Sequence, residues 1–237
     1  MSGREPDQPV RLPVNLQRWE RLTFLHWRYD PAAVRPLLPP GLVVDTFDGA
    51  AWVGVTPFRM RGVRPPLLPA VPHLSSFPEV NVRTYVRTPA GVSGLWFLSL
   101  DCPRLPVVAG MRALGLPYQP ARMHIDRRDF DDGWVSYRSA RPGGRARMRA
   151  TVRVGAEITA PTALVNFLTG RWNAFTRQAG RLWRVPAEHD PWPLHAASAV
   201  ADVGELVAAG GLPAPVGEPL VHFSPGVHAR LGAPRPA

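Results

Sequence analysis

Glu79, Asn81, Arg83 and Tyr85 occupy every second position of one short stretch, with Val80, Val82, Thr84 and Val86 between them. On an extended strand this period of two gathers a carboxylate, an amide, a guanidinium and a phenol on one face, and β-branched side chains on the other. Such a set could move a proton through Glu79 and orient a polar ligand through Asn81, Arg83 and Tyr85. The plainer alternative is a half-buried strand whose polar face meets water.

The next segment favours a pocket. After a turn at residues 88–91, residues 94–100 are apolar at both parities. A loop with an even number of residues sets Arg83 beside Trp96 and Asn81 beside Leu98; an odd one sets Arg83 beside Phe97. Both registers surround the polar face with large apolar neighbours, as in a mostly apolar cavity with a few convergent polar groups. Trp96 therefore joins the candidate wall.

Other elements must position this strand. Residues 18–29 read as a first strand in which Leu22, Phe24 and His26 share a parity, making His26 either a satisfied core histidine or a pocket acid or base. Asp30 caps a short helix through about residue 38, with Pro31 in its first turn. Strands follow at 42–47 and 51–60 around an Asp48-Gly49 turn, and then a proline-rich irregular loop at 61–76. Residues 106–114 form a compact helix ended by Gly115 and Pro117. A meander over 121–130, 134–141 and 145–154 turns at Asp132-Gly133 and Gly143-Gly144. A helix at 162–175 would bury Leu164, Val165, Leu168 and Trp172. Strands at 181–185 and 192–200, a helix at 204–209 and a strand pair within 220–231 complete the chain. The pattern is mainly β (α+β by element count), an antiparallel barrel or curved sheet with a few short peripheral helices.

The chain has 237 residues, one cysteine and a net charge of +10. Residues 18–237 read as one domain after a loose tail at 1–17, because no repeat, linker or shift in composition divides them. A lone Cys102 forms no internal disulfide and suits a reducing cytoplasm, and no apolar segment is long enough to span a membrane. All 28 basic residues are arginine. Arg145, Arg147, Arg149 and Arg153 alternate with small or apolar residues, giving the solvated face of a strand or, as a lower-ranked reading, a surface for nucleic acid or acidic lipid. No nucleic-acid partner is expected, and the composition is compatible with a homo-oligomer. His189/His195 and His222/His228 lie six residues apart, ~20 Å on a strand, too far to share a metal. Neither a metal nor any other cofactor is expected, and no phosphate loop or dinucleotide fingerprint is present.

Several motifs together resemble the YqjF-like family of uncharacterised proteins. They are Asp30-Pro31 followed by Leu37-Leu38-Pro39-Pro40-Gly41-Leu42, Phe77-Pro78-Glu79-Val80-Asn81-Val82-Arg83-Thr84-Tyr85, Leu116-Pro117-Tyr118, and His189-Asp190-Pro191-Trp192-Pro193-Leu194. That family is similar in turn to the acetoacetate decarboxylase superfamily, which implies a cone-shaped antiparallel β-barrel with an interior site. In acetoacetate decarboxylase a lysine pair follows a helix and a proline, and one lysine forms a Schiff base with the keto acid. Here that context, including Arg112 and Pro117, leads to Tyr118-Gln119, while a carboxylate of the site falls on Glu79. With no lysine in the chain, side-chain imine chemistry is excluded.

The resemblance and the residues lead to one expectation: an enzyme-like barrel, lyase- or isomerase-like, that acts without a Schiff base on a small organic carboxylate or keto compound. Its chemistry would be proton transfer, as in enolisation, decarboxylation, dehydration or cyclisation. Glu79 would be the acid or base and Tyr118 the oxyanion partner, with Asn81, Arg83, Tyr85, Arg112, Gln119, His26 and Trp96 on the binding side. A non-catalytic small-molecule binding protein on the same scaffold is the alternative.

Overall fold

The alternating stretch becomes β4 at the centre of a large sheet. A computed structural model of the chain describes residues 4–126 and 133–237. The first half contains β1 (Pro13–Tyr29), α1 (Pro31–Val34), β2 (Val43–Val44), β3 (Ala51–Arg64), β4 (Phe77–Arg87), β5 (Ser93–Cys102) and α2 (Leu105–Ala113). The middle contains β6 (Tyr118–Pro120), β7 (Arg122–Ile125), β8 (Trp134–Ala140), β9 (Met148–Glu157) and α3 (Ala163–Thr169). The last part contains β10 (Asn173–Gln178), β11 (Arg181–His189), β12 (His195–Asp202), α4 (Gly204–Ala209), β13 (Leu220–Gly232) and β14 (Arg235–Pro236). The expected Asp132-Gly133 turn and the end of the 121–130 strand include positions outside the described residues.

Seven strands close into a barrel in the order β11-β10-β5-β4-β3-β1-β13, and β13 pairs back onto β11 at Ala187↔Leu231 and His189↔Ala229. The barrel has one departure from the expected antiparallel pattern: β5 and β10 run parallel through Ala174↔Leu95 and Phe175↔Trp96. From β13 the sheet continues through β12, β9, β8 and β7. That second part covers the outside of the barrel. Val53, Val55, Val80 and Val82 of the barrel wall share a core with Val135, Tyr137, Met148 and Val152. Both faces of β4 are thereby buried, Val80 and Val82 toward this outer core and Glu79, Asn81 and Arg83 toward the barrel interior.

Two long strands serve both parts by bending. β1 has a left-handed residue at Arg21 (φ 49°), and its pairing with β3 shifts register between Glu20 and Leu25. The shift switches parity, so Trp19 points inward before the bend and Leu22 and Phe24 after it. β13, expected as two strands, is one strand bent at Gly226 (φ 136°), where a Cβ would meet the Trp19 carbonyl oxygen. Barrel closure needs a second glycine. A Cβ on Gly94 would lie 2.6 Å from the Asn173 carbonyl oxygen, across the parallel β5–β10 junction. Gly94→Ala is expected to lower the unfolding free energy by ~1–3 kcal/mol through overpacking. Urea denaturation checks this, and wild-type stability would refute so tight a junction.

The expected helix over 162–175 stops early. Thr162 caps it at Val165 N, and Gly170 ends it. Residues 173–178 instead pair with β5 and β11, so sheet hydrogen bonds overrule the helical spacing and Trp172 leaves the expected stripe. The N-terminal segment also differs from a loose tail ending at residue 17. β1 begins at Pro13, Val10 is buried with its N–H on the Glu188 carboxylate, and Asp7 and Gln8 hydrogen-bond Asn173. An apolar residue and three polar anchors hold it to the barrel. Among the described residues no helix is long and apolar enough to cross a membrane.

Candidate functional site

The barrel interior holds a cavity of about 190 Å³. Register sets its polar wall in three steps: Phe58 opposite Glu79, Thr56 opposite Asn81, and Gly54 opposite Arg83. Gly54 leaves the room its neighbours fill, since a Cβ there would come within 3.2 Å of the His26 ring and 3.4 Å of Arg83 Cγ. On the other side of β4 the odd loop register sets Arg83 opposite Phe97. The pairing then shifts by one residue, so Asn81 faces Leu100 instead of the Ser99 that this register alone would give it, and not the Leu98 of the even register.

Glu79 is buried at 3% exposure, and Tyr118 donates its hydroxyl proton to Glu79 Oε2 at 2.8 Å. Burial pushes the carboxyl pKa up to about 7; hydrogen bonds from Tyr118 and Asn81 oppose the rise, and the charge of Asp101 adds to it. Asp101 is buried on the far side of the sheet, held by Arg141 and Ser139. Tyr118 is pushed well above its ordinary range by burial and by the negative charge of Glu79. It therefore acts as a proton donor, and Glu79 is balanced between acid and base near neutral pH. Cys102 lies beneath this pair, buried with its thiol pushed up to about 12, as an inert core residue.

The other end of the cavity is cationic. Arg83 is buried at 8% exposure, its guanidinium 5.2 Å from the Phe24 ring centre. Arg171 is also buried and lines the cavity. It donates from Nε to the Phe167 carbonyl at 2.8 Å, pairs with Asp45 at 2.6 Å, and lies 4.0 Å from the Phe167 ring centre. Thr56 Oγ1, Asn81 Oδ1, Arg83 Nε and Arg171 Nη2 are buried with no partner among the described residues. All four belong to residues of the cavity wall.

Aromatic rings form much of the rest. Trp19 stacks on Trp192 at 5.9 Å, and Phe24 meets Trp192 edge-on at 5.3 Å. His189 packs 4.6 Å from Trp172 and 4.5 Å from Trp192. Burial lowers its pKa to about 4, so near neutral pH it is an uncharged part of the wall.

The structure brings together Glu79, Tyr118, Asn81 and Arg83, and moves the other candidates elsewhere. Tyr85 lies behind the wall. Its hydroxyl donates to the Leu168 carbonyl at 2.8 Å, so His26 Nε2, 2.6 Å away, must be the donor to Tyr85. His26 is fully buried with its pKa well down, first through burial and then through Arg83 and His222. It braces Tyr85, whose hydroxyl oxygen in turn accepts a hydrogen bond from Arg83. Arg112 and Gln119 sit outside the cavity. Arg112 Nε donates to the Tyr118 carbonyl at 2.6 Å, and its Nη2 to Gln119 Oε1 at 2.7 Å. In the last turn of α2 Met111 faces the cavity and Arg112 faces outward, and alternation along β6 turns Gln119 away from Tyr118, so Arg112 and Gln119 clamp the Tyr118 backbone instead of meeting a ligand. Trp96 occupies the opposite parity to Phe97, packs with Leu42, Val86 and Phe175, and does not itself line the cavity. The arginine run lies on β9 and the loop before it: Arg149 and Arg153 are exposed, and Arg147 pairs with Glu205.

Sequence spacing missed Arg171, Asn173, Thr56, Trp19 and Trp192. Arg171 and Asn173 fell inside the overlong helix, and the parity switch at Arg21 hid Trp19. The motif around Trp192 was visible, but not its inward direction.

Comparison with known proteins agrees with this architecture. The structure superposes on the enduracididine biosynthesis enzyme MppR complexed with pyruvate with a TM-score of 0.69, at 17% identity over 97% of this chain and 93% of that one. An acetoacetate decarboxylase-like enzyme from Sphingomonas wittichii RW1 gives 0.68 at 16% identity, covering 95% and 93%. An acetoacetate decarboxylase gives 0.65 at 15% identity, covering 98% and 89%. At these identities the shared property is the fold, which is acetoacetate decarboxylase-like. In sequence, the uncharacterized protein YqjF of Bacillus subtilis (strain 168) is 34% identical over 231 residues, 94% of each chain. Residues 16–228 match DUF2071, a family described as an uncharacterized conserved protein. The chain belongs to the DUF2071 family.

Proposed function

We propose that the barrel is an enzyme that binds a small organic carboxylate or keto compound and moves a proton at a carbon beside its carbonyl. One observation carries this reading: a carboxyl with a pKa of about 7, hydrogen-bonded to Tyr118, faces an apolar cavity. A general base is most effective when its pKa lies near the working pH.

The step balances within this chain. Ionised Glu79 takes the α proton, the C–H electron pair moves into the carbonyl, and the enolate oxygen accepts a hydrogen bond from Tyr118. Tyr118 has one proton to donate. Turning it from Glu79 to the ligand removes a bond that held the Glu79 pKa down, and so strengthens the base as the ligand seats. The proton then returns from Glu79 to carbon in enolisation, to a departing hydroxide in dehydration, or to the new alkoxide when the enolate carbon closes a ring; in decarboxylation the C–CO2 bond supplies the electron pair instead, and the acid form of Glu79 protonates the carbon. No side-chain amine is required, in keeping with a chain that has no lysine. Similarity to enzymes that include a pyruvate complex supports a ligand of this general kind.

Incubating the protein with methyl ketone carboxylates in heavy water tests the reading. Proton NMR should show α-proton loss well above the buffer rate. Binding without exchange would leave a non-catalytic binding protein.

A further inference from the structure

Among the described residues, Arg83 is a buried cation without a carboxylate partner. The ion pairs formed by arginines with Glu20, Asp45, Asp101 and Glu205 do not include it, and its Nε has no partner among the described residues. Arg171, whose charge also acts on Tyr85, already pairs with Asp45 at 2.6 Å, a carboxylate that the exposed Arg87 approaches at 3.8 Å. Among the described residues the charge of Arg83 is thus uncompensated at this end of the cavity, a costly arrangement unless an anion joins it.

Glu79 is not that anion. It engages Tyr118 and Asn81, whereas Arg83 engages Tyr85 and the Phe24 face. Four residues of strand put their Cα atoms ~13 Å apart, and side chains leaving the same face side by side keep their charged ends separated by a distance of that order. Removing ~3 Å for a hydrogen bond at each end leaves ~7 Å for a ligand that touches both. An extended chain advances ~1.2 Å per bond, so ~7 Å corresponds to about six bonds. Between the two ends Phe24, Phe97, Leu100 and Trp192 form apolar walls, facing the polar pair Thr56 and Asn81 on one side. An apolar cavity of roughly 150 Å³ accepts benzene, and about 190 Å³ here takes a body of that size with its polar ends.

We propose that the substrate is an elongated monocarboxylate, anchored on Arg83, in which an apolar chain or ring of about six bonds separates the carboxylate from the carbon that Glu79 deprotonates. The inference rests on the proton-transfer reading and names its substrate class. Acids whose carboxylate lies one or two bonds from the carbonyl cannot reach both ends.

The test is calorimetric binding of the ω-methyl ketone acids from levulinate to 8-oxononanoate, with α-proton exchange followed in parallel. Affinity should rise roughly tenfold or more from levulinate to 6-oxoheptanoate or its next homologue. The methyl ester of 6-oxoheptanoate should lose that gain, and Arg83→Met should flatten the series. Pyruvate or levulinate binding as tightly as the longer acids would overturn the inference, as would an ester equal to its acid. The ester comparison needs only wild-type protein, so it holds whatever the variant does. Length-selective binding without exchange sinks the proton-transfer reading alone. Exchange confined to short acids sinks the length inference alone.

Discussion

Replacing Glu79 with glutamine is expected to slow α-proton exchange by ~10²–10⁴-fold while ligand affinity changes little. Glutamine keeps the shape and can still accept the Tyr118 hydroxyl, but it cannot take a proton. In the wild type the base form accumulates as pH rises through about 7, so exchange should climb across that range and level off above it. The variant should show no such rise. The same group links pH to stability. Its folded pKa of about 7 exceeds the ordinary 4.5, so the folded state holds the proton more tightly than the unfolded chain. That contribution is present in full below pH 4.5 and is lost as pH rises through 7, amounting to about 3 kcal/mol. Urea denaturation at pH 4.5 and pH 8 should show wild type losing about 3 kcal/mol more than Glu79→Gln between the two conditions. A gap between the proteins that does not change with pH would refute the raised pKa.

Arg83→Met should have opposite effects on stability and on binding. Removing a buried cation that lacks an acidic partner is expected to raise the unfolding free energy by ~1–4 kcal/mol. The straight Met side chain keeps packing against the Phe24 ring, which the arginine now covers at 5.2 Å. Carboxylate affinity should fall by ~2–5 kcal/mol, the usual cost of deleting one partner of a buried charge contact. Denaturant melts and calorimetry measure the two sides. A variant that loses stability yet binds acids as before would make Arg83 a structural residue with no part in ligand binding.

Much of the site could be read from local spacing. Glu79, Asn81 and Arg83 share a face because a strand alternates, and a five-residue loop at 88–92 sets Arg83 opposite Phe97. Local spacing failed where the backbone breaks its own period. The register shift beyond Arg83 moved Asn81 to Leu100, and the left-handed Arg21 switched the parity that carries Trp19 inward. The helical spacing of residues 162–175 was real as far as Thr169. Beyond Gly170, residues 173–178 pair along their length with β11 and at Ala174 and Phe175 with β5, and the six further residues of the expected helix would forgo those bonds.

The sequence by itself determined that no lysine imine can form, that the strand of Glu79 has one polar face, and that the chain carries the motifs of its family. It could not say whether that face meets water. Only the return of β13 onto β11, with Arg171, His189 and Trp192 brought from far along the chain, decided the matter. A carboxyl pKa answers to everything that displaces water around it, and that displacement is made by residues with no sequence proximity to Glu79.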